Sequence, residues 1–115
     1  MRKLQPYWFT PTYQPDEGAI VEFELKPLDQ ASLYTVQASF GPNNVPDWSG
    51  VKTAFASGVV GWKNVTADGQ PIEFSPKAAS QILRDIGSAT WMIWLGQIAG
   101  ELWRNGFLTD VEKKT

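Results

Sequence analysis

The chain has 115 residues, a formal net charge of −2, and neither cysteine nor histidine. That length suits one domain able to fold without disulfides, and the missing thiol and imidazole remove the commonest zinc ligands and general base, so no metal, no cofactor and no enzymatic activity are expected. Charges of both signs are scattered rather than gathered in a basic stripe, so nucleic acid is not an expected partner.

In chain order, Arg2 and Lys3 precede a short stretch that Pro6 interrupts, which is not the pattern of a signal peptide. Tyr7 to Thr10 is aromatic and β-prone, and Pro11 to Gly18 carries turn chemistry. From Ala19 to Lys26 the residues alternate, with Ala19, Val21, Phe23 and Leu25 on one face and Ile20, Glu22, Glu24 and Lys26 on the other. The two segments predict an antiparallel hairpin, which needs helices over its apolar face to be stable in water. Asp29 is the expected N-cap of a helix reaching about Phe40 and closed by Gly41-Pro42. Asp47 is the expected cap of a second helix, to about Ser57.

Between Gly61 and Phe74 an Asp68-Gly69 turn flanked by β-prone pieces predicts a structured loop or small hairpin. Ser75-Pro76 reads as an N-cap followed by proline at the first helical position, with Gly87 as that helix's stop. Ser88 is the expected cap of the last helix, and Gly106 its stop. The whole is read as α+β: an N-terminal antiparallel β-hairpin packed against about four short α-helices, one domain over 1–108 with a flexible tail over 109–115.

The last helix holds the most apolar stretch, Ala89 to Gly100, which is well short of the ~20 residues that span a bilayer, so no membrane partner is expected. Trp91, Leu95, Ile98 and Leu102 form its natural core face. Met92, Gly96, Ala99 and Trp103 form a second apolar face, and Gly96 and Gly100 open a groove there that another helix could enter. Either a partner chain or one of the domain's own helices would fill it. Thr90, Gln97, Glu101 and Arg104 make the polar stripe.

Other candidate chemistry is thin. Glu22 and Glu24 would lie about 7 Å apart on one strand face, a spacing open to acid and base work, but the plainer reading is a solvated surface. Asp68, Gly69 and Glu73 lack the further oxygen ligands of a calcium loop, and Gly58, Gly61 and Gly69 lack the spacing of a phosphate loop. Asn64-Val65-Thr66 matches a glycosylation acceptor, which has no meaning without secretion. Six tryptophans are present, and core packing is the first explanation for most of them. Trp62, between a helix end and the Asp68-Gly69 turn, is expected to pin that loop to the domain.

The stretch with Lys3, Pro6 and Phe9-Thr10-Pro11, followed by Val21-Glu22-Phe23-Glu24-Leu25-Lys26-Pro27-Leu28, resembles the opening of tail assembly chaperones of long-tailed bacteriophages. The central run Gly58-Val59-Val60-Gly61-Trp62-Lys63-Asn64-Val65, then Asp68-Gly69, Pro71-Ile72 and Phe74-Ser75, is similar to that family's middle motif, an apolar helix end with a Gly-Trp pair and an Asp-Gly turn. The resemblance spans roughly residues 3–86, and the tryptophan-rich final helix departs from the simpler aliphatic pattern of the family. It implies a helper in the host cytoplasm that binds the tape measure protein, forms homo-oligomers and keeps its client soluble during tail assembly. Two other readings stand beside it: a structural tail component retained in the virion, and a small phage-encoded regulator that binds a host protein.

Overall fold

A computed structural model describes residues 3–15, 18–38, 48–67, 69–84 and 88–107. The fold is α+β. Strand β1 (Tyr7–Phe9) pairs antiparallel with β2 (Glu22–Leu25), placing Tyr7 opposite Leu25 and Phe9 opposite Phe23. The alternation read from the sequence holds at Val21, Phe23 and Leu25, all buried, but Ala19 and Ile20 are exposed and precede the strand. Gln14 organises this entry, because its side-chain oxygen accepts from the Val21 amide at 2.8 Å and its nitrogen donates to the Val21 carbonyl at 3.0 Å.

The hairpin is extended by a third strand. Val59–Lys63, which spans the expected helix end and the start of the expected structured loop or small hairpin, forms β3, antiparallel to β2 with Phe23 opposite Trp62 and a register shift between Glu24 and Leu25. Its β-branched and aromatic residues fit a pleated, half-buried surface better than a helix continuation. A second, two-stranded hairpin of β4 (Thr66–Ala67) and β5 (Gln70–Pro71) follows. Gly69 in its turn has φ +78°, a conformation that glycine adopts without a Cβ clash. Asp68 lies outside the described residues.

Helices α1 (Gln30–Ala38), α2 (Trp48–Gly58), α3 (Pro76–Arg84) and α4 (Ala89–Asn105) complete the described architecture. Two expected caps are made as read. The Asp29 carboxylate accepts from the Ser32 amide at 2.8 Å, and the Ser75 hydroxyl oxygen accepts from the Ala78 amide at 3.0 Å. Each satisfies a donor that the first helical turn leaves without a backbone partner. Ser88 differs: it occupies the N-cap position in extended geometry but makes no side-chain capping bond. Gly106 does end α4, with its amide donating to the Leu102 carbonyl, but at φ −112° it does not use the left-handed region. The expected cap Asp47, the stops Gly41-Pro42 and Gly87, and the tail over 109–115 lie outside the described residues.

The core lies between the inner sheet face and helices α1, α2 and α4. Phe23, Leu25, Leu28, Val36, Ala54, Phe55, Leu95, Ile98 and Leu102 are all essentially inaccessible to solvent. Complete burial of each large apolar side chain contributes about 1.5–3 kcal/mol against about 1 kcal/mol for a capping bond, and many side chains are buried for each cap, so packing rather than capping decides where the helices sit.

Candidate interaction surface

The aromatic residues first account for their own burial. Trp62 is 8% exposed; its indole nitrogen donates to the Ile72 carbonyl at 2.8 Å, and its ring meets Phe74 edge-on at 4.9 Å. The ring thereby fixes the segment after the β4–β5 hairpin to the sheet. Trp91 and Trp94 pack edge-on to each other at 5.1 Å, and both meet Phe23. Trp94, absent from the core face read in the sequence, is nearly buried, and its indole nitrogen donates to the Tyr13 carbonyl at 3.1 Å. Its position three residues after Trp91 and four before Ile98 was the available signal.

One side of α4 is held by the N-terminal segment. The Tyr13 amide donates to the Gln97 side chain at 3.3 Å, the Tyr7 hydroxyl donates to Glu101 at 3.2 Å, and the Lys3 amide donates to the Asn105 carbonyl. Gln97 and Glu101, members of the polar stripe, are therefore engaged by residues from the far end of the chain. Burial, reinforced by the adjacent Glu101 carboxylate and the hydrogen bond to it, pushes the Tyr7 phenol well above its usual range.

The core face of α4 is as expected, with Leu95, Ile98 and Leu102 buried and Trp91 packed against them. The second apolar face needs one correction. Ala99 is fully buried and belongs to the core, because it stands one turn from both Leu95 and Leu102. Met92 and Trp103 are each 42% exposed and Ile93 is 40% exposed. Between them Gly96 is exposed, and a Cβ added there would meet no atom within 4 Å; at Gly100 it would meet only the Arg104 guanidinium, at 3.8 Å. Ala89, Met92, Ile93, Gly96, Gly100 and Trp103 recur at helical spacing along one stripe without a charged residue. No described helix of the domain fills the notch at Gly96.

The outer face of the sheet carries the two carboxylates considered above. Glu22 is opposite Lys63, and Glu24 is opposite Gly61. The Lys63 ammonium sits 4.0 Å from the Trp8 ring centroid, a cation–π contact. Both carboxylates are half-buried on the outer strand face that they share with this lysine. Among the described residues, no group of three or more acidic side chains is placed to hold a metal ion, and no helix is long and apolar enough to cross a membrane.

Comparisons of the chain with protein-family models, with curated proteins and with solved structures found no match.

Proposed function

We propose that this protein binds other proteins rather than catalysing a reaction, and that it acts as a tail assembly chaperone for the tape measure protein in the host cytoplasm. The observation that carries the reading is the pair Gly96 and Gly100. Each glycine inside a helix costs about 0.5–1 kcal/mol relative to alanine. Gly96 has open space where a Cβ would stand, so nothing within the described domain requires its smallness. A helix approaching from another chain supplies that requirement, with Met92, Ile93 and Trp103 as apolar contacts around the notch.

The sequence resemblance supplies the client. A tape measure protein presents long apolar helical stripes before the tail tube encloses it, and such stripes aggregate unless covered. Many copies of a small binder, each making a modest helix-to-helix contact and touching its neighbours, gain avidity through multivalency. The client contact then uses a mainly apolar surface, with the Arg104 guanidinium at its Gly100 end.

Co-expression with the tape measure protein tests this reading. The expected result is a soluble complex with the native chain and an insoluble client without it. A client equally soluble in both cases, or soluble without forming any complex, would refute the chaperone role.

A further inference from the structure

A second surface, sharing no residue with the exposed stripe of α4, is built for a different kind of contact. Helix α3 has a sharply divided sequence, with Ala78, Ala79, Ile82 and Leu83 against Lys77, Ser80, Gln81 and Arg84. Its apolar residues pack against the core, yet none of its residues is fully buried. Beside it runs a groove of about 270 Å³, walled by Ala79 and Leu83 of α3, Ala56 of α2, Val59 and Val60 of β3, and Phe74. Val60, at the bulged edge of the sheet, is 38% exposed. Among the described residues, the lining holds no charged side chain.

The rim does. Lys52 stands one helical turn before Ala56 on α2, while Lys77 and Arg84 stand one turn before and one turn after Ser80 on α3. All three are exposed. Among the described residues, no carboxylate pairs with any of them. The acids among the described residues closest in sequence or strand pairing to the lining are Glu73, exposed beside Phe74, and Glu24, whose carboxylate lies over Gly61 on the outer sheet face. Both helical walls of the groove are thus basic at their outer margins and apolar inside.

We propose that the groove between α3 and the α2–β3 unit is a docking site for a partner's short amphipathic segment, whose apolar side chains enter between Leu83 and Val60 and whose flanking Asp or Glu residues meet Lys52, Lys77 and Arg84. An apolar knob supplies the affinity, and the carboxylates fix its orientation and exclude basic segments. The proposal stands apart from the client reading, because it uses no residue of the α4 stripe.

The test is a fluorescence anisotropy titration of the full chain with two synthetic amphipathic peptides of identical leucine pattern, one carrying glutamates on its polar positions and the other lysines. The acidic peptide should bind about tenfold more tightly, in line with two or three exposed ion pairs, and its advantage should shrink as salt is added. The double variant K52E/R84E, altered only at exposed positions, should abolish or reverse the preference. Ser80→Trp, which blocks the groove mouth without changing charge, should weaken both peptides. Amide resonances of Ala56, Val60, Ala79 and Leu83 should shift on titration. Equal binding of the two peptides, binding of neither, or shifts confined to Met92–Trp103 would each overturn the proposal.

Discussion

Gly58, the last residue of α2, lies directly against the side chain of Leu102 on α4: a Cβ added at Gly58 would fall inside van der Waals distance of a Leu102 methyl group. The same leucine crowds Gly106, where an added Cβ would come within 2.7 Å of its other methyl group and 3.0 Å of the Tyr7 hydroxyl. Leu102 is fully buried and has little room to move aside. Gly58→Ala should therefore cost about 1–3 kcal/mol through overpacking, despite alanine's better helix propensity. Denaturant unfolding of Gly58→Ala, Leu102→Val and the double variant checks this. The double variant should be more stable than the sum of the two single losses predicts, and simple additivity would contradict the contact.

Trp62 ties the β4–β5 hairpin to the sheet through its ring and its indole nitrogen. Trp62→Ala should lower stability by about 3–5 kcal/mol. Trp62→Phe keeps a ring in the core but leaves the Ile72 carbonyl without its indole donor, and should cost about 1–3 kcal/mol. Thermal unfolding of the two variants should rank them in that order. A melting temperature unchanged in Trp62→Ala, with partner binding lost, would make Trp62 a contact residue instead.

These two sites differ in how far the sequence revealed them. The Trp62 role was legible because the Gly-Trp pair and the Asp-Gly turn are close in the chain, as are the Asp29 and Ser75 caps. The Gly58–Leu102 contact joins residues that no local pattern relates. Strand β3 was hidden for a similar reason, since the run from Val59 to Lys63 is too short for its periodicity to separate strand from helix; pairing with β2 decides it. The polar stripe of α4 was legible, but the partners of Gln97 and Glu101 were not, because Tyr13 and Tyr7 come from the other end of the chain.

Tyr7 gives the structure an alkaline limit. Its phenol is held above the ordinary value near 10 by burial first and by Glu101 second. Above about pH 10 the unfolded chain releases the phenolic proton while the folded chain keeps it, so the native state binds more protons and its stability falls as pH rises. Below about pH 10 this contribution is fully present. Tyr7→Phe, which has no phenol to titrate, should lose less stability than the native chain between about pH 10 and 12. Urea unfolding of both proteins across that range measures the difference; parallel pH curves would refute the assignment.

Gly96 and Ala99 make the final prediction, because they stand one turn apart on α4 and have opposite surroundings. Ala99 is fully buried, and Ala99→Arg should prevent folding by forcing an unpaired charge into the core. Gly96 faces open space, so Gly96→Ala should stabilise the isolated protein by about 0.5–1 kcal/mol, and Gly96→Arg should fold with near-normal stability. The larger side chain would nevertheless fill the notch flanked by Met92 and Trp103. Gly96→Arg should therefore lose self-association in sedimentation experiments or co-purification with the tape measure protein, while its melting temperature stays close to that of the native chain. If Gly96→Arg instead unfolds, the notch is internal to the domain; if it folds and retains both associations, this face of α4 is not the contact surface.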